Sequence, residues 1–181
     1  MRIVGGTFSG RRFSPPTDTP ARPTTDVAKE GLFNSLGNLI DFEGIKTCDL
    51  FGGTGSISYE LASRGAAELT LIERDLGNIK FIQKTAKELG ILDRMNIIRG
   101  DVFKFMNNNT EQYDFIFAGP PYALLNIDDI PMLIFEKNML APDGIFVHEH
   151  TPRNDYQKHP NFMKMKNYGT TVFSFFNQPG E

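Results

Sequence analysis

The sequence predicts an α/β protein: a mostly parallel sheet of seven strands with an antiparallel last strand, helices on both faces, and a small hairpin ahead of it. Three observations predict this. Short apolar runs alternate with amphipathic stretches between residues 46 and 149, the alternation that builds a parallel sheet. The first run, Cys48-Asp49-Leu50, breaks into Phe51-Gly52-Gly53-Thr54-Gly55 and then a helical stretch. Strand, glycine turn and helix make a nucleotide-binding crossover, because glycines admit a ligand close to the backbone and the helix N-terminus favours electron-rich groups. The third is the end of the chain, where two β-rich runs meet at Tyr168-Gly169 as a closing hairpin.

Each element follows in order. Residues 1–13 read as a hairpin, Arg2-Ile3-Val4 turning through Gly5, Gly6 or Gly10 into Arg11-Arg12-Phe13. Pro15, Pro16, Pro20 and Pro23 keep residues 14–23 extended and free of helix. Thr25 can cap the next helix, Asp26 complements its dipole, and Ala28, Leu32, Leu36, Leu39 and Ile40 give its buried face. Strands are predicted at about 46–51, 68–73, 95–98, 113–118 and 144–149, with helices near 55–64, 75–89, 102–107 and 128–140. Phe162 to Asn167 and Thr170 to Phe176 form the last two strands. There is no internal repeat or low-complexity tract, and residues 1–181 are expected to form a single domain, with 1–25 as its basic hairpin and connector.

Composition narrows the function classes. No apolar run reaches transmembrane length and the start has no signal-peptide core, so a cytoplasmic protein is expected. The single Cys48 excludes an intramolecular disulfide and is expected to fill the core. Net charge is −3, yet Arg2, Arg11, Arg12 and Arg22 face only Asp18 within residues 1–25. Residues 151–181 are also net basic, and basic ends flanking an acidic centre fit an anion-binding edge or, equally, solvated charge. His148 and His150 alternate on one strand without a third ligand, so no metal is expected. Phe173, Phe175 and Phe176 are expected to close the core, and Lys164 and Lys166 to form either a solvated face or an RNA contact.

In an open parallel sheet the ligand lies beyond the carboxyl ends of the strands. Asp49 and the glycine turn end the first strand there. Glu73 ends the second, where a carboxylate can accept both hydroxyls of a ribose, and Asp101 follows the third, where it can accept from an adenine amine. Gly119-Pro120-Pro121-Tyr122 ends the fourth. A dinucleotide fingerprint would need Gly or Ala where Ser58 stands, which disfavours a dehydrogenase.

Asp-Leu-Phe-Gly-Gly-Thr-Gly, Glu73-Arg74-Asp75, Gly100-Asp101 and x-Pro-Pro-Tyr, in this order, resemble class I S-adenosylmethionine-dependent methyltransferases with their Rossmann-like fold. Pro-Pro-Tyr is similar to the motif of those that methylate exocyclic amines of bases. Met1-Arg2-Ile3-Val4-Gly5-Gly6, Gly10-Arg11-Arg12 and Arg22-Pro23-Thr24-Thr25-Asp26 with Leu32-Phe33-Asn34 resemble the RsmD family of bacterial 16S ribosomal RNA guanine-N2 methyltransferases.

That resemblance implies S-adenosylmethionine as methyl donor, S-adenosylhomocysteine as product, and ribosomal RNA or a small-subunit ribonucleoprotein as partner. It implies that Asp49, Phe51, Gly52, Gly53 and Gly55 hold the methionine part, Glu73 the ribose, and Asp101 with the Val102 amide the adenine. Gly119, Pro120, Pro121 and Tyr122 would handle the target amine, and Arg2, Arg11, Arg12, Arg22 and Thr24 would contact RNA. The family's tetrapeptide begins with Asp or Asn, and this chain has Gly119. Only the Pro120 carbonyl then remains as a guaranteed acceptor for the amine, with Tyr122 to stack on an extruded base. On this reading Gly119→Asp would speed methyl transfer. The alternatives are a weakened RNA-binding homologue, for which Gly119 argues, and a methyltransferase of DNA or another amine, which would need a recognition domain.

Overall fold

The computed structural model describes residues 1–18 and 24–180. Arg22, with Pro20 and Pro23 of the expected connector, lies outside the described residues. Seven strands form one sheet: β1 (Lys46–Leu50), β2 (Glu68–Glu73), β3 (Met95–Arg99), β4 (Tyr113–Ala118), β5 (Leu140–His150), β6 (Phe162–Tyr168) and β7 (Thr171–Asn177). Their spatial order is β3-β2-β1-β4-β5-β7-β6. Pairings from β3 through β5 are parallel, and β7 runs antiparallel between β5 and β6. The chain therefore reverses its direction of travel across the sheet between β1 and β4, and a crevice opens above their carboxyl ends.

Among the described residues five α-helices cover the sheet: α1 (Asp26–Leu36), α2 (Ser56–Ser63), α3 (Leu76–Leu89), α4 (Val102–Asn108) and α5 (Asp129–Glu136). Local chemistry sets their starts. Thr25 accepts from the Ala28 amide at 3.2 Å, and Asp75 from the Asn78 amide at 2.9 Å, caps worth about 1 kcal/mol each. Gly90 ends α3 with φ 71°, a left-handed turn that suits glycine. On one face of the sheet Leu32, Phe33, Leu61, Phe115, Phe117, Phe173 and Phe175 pack together. On the other, Cys48, Leu50, Ile116, Ile134, Phe146 and Phe176 do so. Full burial of each such aliphatic or phenyl side chain contributes about 1.5–3 kcal/mol. Cys48 is fully buried at the centre of β1, and burial pushes its thiol well above the usual range.

Three boundaries differ from the sequence expectation. α1 ends at Leu36 with Gly37 as its cap, so Leu39 and Ile40, expected on its buried face, lie beyond the helix and pack against the core from the segment that follows. The helix expected at 128–140 ends at Glu136, because Asn138 takes φ 52° and turns the chain into β5, which starts at Leu140. The N-terminal hairpin is one antiparallel bridge, Arg2 with Arg12, rather than two full strands. Ile3 N donates to Arg11 O at 2.9 Å and Phe13 N to Met1 O at 3.0 Å. Between them the chain curls onto α2, where the Val4 and Gly5 amides donate to the Glu60 carboxylate at 2.9 Å each.

Candidate cofactor pocket and amine clamp

A cavity of about 610 Å³ opens above the ends of β1, β2 and β4. Its wall brings together Asp49, Phe51, Gly52, Gly53, Glu73, Asp101, Val102 and Gly119 to Tyr122, residues that the strand ends deliver from four separate elements. Thr24 also lines it, so that residue faces the pocket. Gly55 does not line it; with φ 89° it is the N-cap of α2, and a Cβ there would run into the Tyr59 phenol. Arg2, Arg11 and Arg12, on the N-terminal segment, do not line the cavity. Arg11 and Arg12 are exposed, and Arg2 points its guanidinium toward Asp26 at 3.8 Å.

The turn after β1 is held from below and from the side. A Cβ on Gly52 would overlap Leu71 of β2, so only glycine lets this loop lie flat on the sheet. Phe51 takes φ 61°, an uncommon conformation for a non-glycine residue, with its ring edge-on to Phe103 at 6.4 Å. Glu73 Oε1 accepts from the Gly53 amide at 3.0 Å, and Oε2 from the Asp75 amide at 2.9 Å. The proposed ribose acceptor is thus braced against the glycine turn. Asp101 accepts from the Lys104 amide at 3.0 Å, capping α4 while it lines the cavity.

Asp49 is 1% exposed, and Ser58 donates its hydroxyl to Oδ2 at 2.7 Å. Burial pushes the Asp49 carboxyl up to about 7; the Ser58 hydrogen bond opposes the rise and the Glu73 charge adds to it. Ser58, the residue that spoils a dinucleotide fingerprint, therefore orients the acid at the bottom of the pocket.

Across the crevice, the Tyr122 hydroxyl donates to Glu149 Oε2 at 2.8 Å and lies 3.1 Å from Thr171 Oγ1. The Thr24 hydroxyl donates to Glu149 Oε1 at 2.7 Å. Glu149, at the carboxyl end of β5, lines the same cavity and was not singled out from sequence. Its signal was the one that found Glu73 and Asp101, an acid ending a strand, applied one strand further along. Gly119 has no positive φ.

His148 and His150 are buried, His148 Nε2 3.2 Å from the Tyr156 hydroxyl and His150 Nε2 2.7 Å from the Ser174 hydroxyl. Burial first, and the neighbouring His150 second, lower the His148 pKa to about 3, so its imidazole is neutral. Among the described residues no group of three or more His, Cys, Asp and Glu is placed to hold a metal.

The residues present fit S-adenosylmethionine. The flat glycine turn leaves room for a ligand against the backbone, a buried carboxyl awaits a cationic amine, and Asn78 Oδ1 is buried at the pocket without a hydrogen-bond partner among the described residues. Strand order, glycine turn and tetrapeptide together define a class I, S-adenosylmethionine-dependent methyltransferase with a Rossmann-like fold. The fold comparison agrees. The solved structure of Escherichia coli yhhF matches with a TM-score of 0.87 at 24% identity, covering 100% of this chain and 99% of that one. An RNA methyltransferase from Salinibacter ruber, solved in complex with S-adenosyl-L-homocysteine, matches with a TM-score of 0.65 at 20% identity, covering 88% of this chain and 95% of that one.

Residues 1–177 match the family described as Conserved hypothetical protein 95. Ribosomal RNA small subunit methyltransferase D of Escherichia coli (strain K12) is 30% identical over 156 residues, 85% of this chain and 76% of that protein. The chain belongs to this family, the RsmD-type small-subunit ribosomal RNA methyltransferases.

Proposed function

We propose that this protein methylates the exocyclic N2 amine of a guanine in 16S ribosomal RNA, with residues 1–181 working as one catalytic unit. The observation that carries the reading is the continuity of the cavity. The Asp49–Gly53 turn, Glu73 and Asp101 share one space with Gly119 to Tyr122, so a bound cofactor and an extruded base would meet inside it.

S-adenosylmethionine, when bound, supplies an electrophilic methyl group with a neutral thioether as its leaving group. The protein's own work is placement. Asp49 would hold the cationic amine, Glu73 the ribose hydroxyls, and Asp101 with the Val102 amide the adenine. An aromatic amine is a weak nucleophile because its lone pair is delocalised into the ring. Acceptors on its hydrogens, of which the Pro120 carbonyl is one, pull the nitrogen toward tetrahedral geometry and aim the lone pair. Tyr122, anchored by its hydroxyl, presents its ring to the base. No strong general base is required, since the methylated amine sheds its proton readily.

The test is transfer of labelled methyl from S-adenosylmethionine to small subunits, and separately to naked 16S RNA, both from cells lacking the activity. Nucleosides from the digested product are read by mass spectrometry. N2-methylguanosine is the expected product; a methylated adenine or cytosine alone overturns the guanine assignment.

A further inference from the structure

The first position of the tetrapeptide lacks a side chain, yet the space beside it is not without a carboxylate. Ala118 on β4 is paired with His148 on β5, so one residue further along each strand brings Gly119 and Glu149 side by side. A Cβ built on Gly119 would lie 3.9 Å from Glu149 Oε1 and 3.0 Å from the edge of the Phe117 ring. The Glu149 carboxylate thus reaches from the neighbouring strand toward the place that an acid at 119 would occupy. The Thr24 and Tyr122 hydroxyls, one on each oxygen, hold it there.

We infer that Glu149 is the second acceptor for the target amine, a catalytic residue supplied by β5 in place of the acid or amide absent at Gly119. The inference rests on the guanine-N2 reading above and deepens it. A carboxylate has about four acceptor positions, so donors that orient it do not by themselves bar an amine hydrogen. Guanine's Watson–Crick edge presents two adjacent donors, N1–H and N2–H, to match its two oxygens. Adenine presents N6–H beside the N1 lone pair, which a carboxylate repels. The charge at Glu149 therefore favours guanine over adenine as well as polarising the amine.

In the transfer step the N2 lone pair forms the new nitrogen–carbon bond as the carbon–sulfur bond breaks, and sulfur keeps that electron pair. The surplus proton on nitrogen passes to Glu149 and from there to water. Glu149 and Pro120 O between them hold both amine hydrogens before transfer, which aims the lone pair at the methyl carbon.

Single-turnover methylation of unmodified small subunits by wild type, Glu149→Gln, Glu149→Ala and Gly119→Asp tests this, alongside S-adenosylhomocysteine titration and thermal melts. Removing one preorganised transition-state partner costs about 10²–10³ in rate. Glu149→Ala should lose that much, and Glu149→Gln, which keeps one oxygen but no charge, about tenfold. Affinity for S-adenosylhomocysteine should stay within about twofold, because the residue faces the target base and not the cofactor. Gly119→Asp should gain nothing while Glu149 is present, since two adjacent carboxylates oppose each other's ionisation. In the Glu149→Gln background, Gly119→Asp or Gly119→Asn should restore rate. A Glu149→Gln enzyme as fast as wild type, or one that neither change at 119 restores, overturns the inference and leaves the proposed function standing. No transfer by wild type overturns both.

Discussion

Lys29 Nζ lies 3.5 Å from Glu60 Oε1, and neither side chain is more than 1% exposed. The pair ties α1 to α2 inside the protein. Lys29 also donates to the Arg2 carbonyl and to Ser56 Oγ, and Glu60 accepts from Arg64 Nε at 3.0 Å besides the Val4 and Gly5 amides. Burial lowers the Lys29 pKa and the Glu60 charge opposes that shift.

The two partners should not be equivalent under mutation. Glu60→Ala strands a buried ammonium and two amides, and breaking a buried pair in that way costs about 3–5 kcal/mol. Lys29→Met leaves Glu60 neutralised by Arg64 and should cost less, about 1–3 kcal/mol. Urea unfolding of both variants measures the difference, and hydrogen exchange at Val4 and Gly5 should accelerate only in Glu60→Ala. Equal costs would show that Arg64 does not compensate.

Asp49 should make cofactor binding release a proton. Its folded pKa, pushed by burial to about 7, lies above the unfolded value near 3.9. The native state therefore keeps a proton that the unfolded state loses, and this group lowers the stability of the cofactor-free protein as pH rises from about 4 to 7. A cationic amine beside Asp49 reverses the preference. Calorimetry of S-adenosylhomocysteine at pH 6, in buffers of different ionisation enthalpy, should find release approaching one proton. Asp49→Asn should bind weakly and release none; a wild type that releases none would mean the acid is already ionised.

Glu73 has two tasks, bracing Gly53 and facing the pocket. A hydrogen bond to a charged acceptor is worth about 1.5–3 kcal/mol. Glu73→Ala should therefore weaken S-adenosylhomocysteine binding at least tenfold in calorimetric titration. Unchanged affinity would remove Glu73 from the cofactor site.

Arg11 and Arg12 should matter to RNA and not to the cofactor. Both are exposed, and the Arg11 guanidinium lies about 6 Å over the Phe8 and Phe13 rings, which hold it at the surface. Replacing both by Ala should weaken RNA binding and flatten its salt dependence by up to about 0.9 in log–log slope per lost phosphate contact. S-adenosylhomocysteine affinity should not change. An unaltered salt slope would leave these arginines as solvated charge.

What the sequence made legible was chiefly what backbone periodicity encodes. Apolar runs placed β1, β2 and β4 within a residue, and the glycines and acids at strand ends located part of the cavity wall. The end of α5 was not legible, because Lys137-Asn138-Met139 continues an acceptable helical pattern and only the left-handed Asn138 breaks it. Lys29 and Glu60 carry no local sequence signal of their own, since nothing nearby in the chain shows that the N-terminal segment folds over both. Glu149 was hidden differently. Flanked by His148 and His150, it reads as an alternating strand, and its role depends on β5 lying beside β4, a long-range pairing.

Cys48 offers a consequence of another kind. It stands in β1 next to Asp49, between β2 and β4, with no exposure and a thiol held protonated by its surroundings. A thiol reagent reaches it only when the middle of the sheet parts, since modification requires an accessible thiolate. The protein's one sulfhydryl is thus a natural clock for its deepest opening. Its labelling rate under native conditions reads the opening equilibrium, and a ligand gripping Asp49 next door slows that clock in proportion to its occupancy.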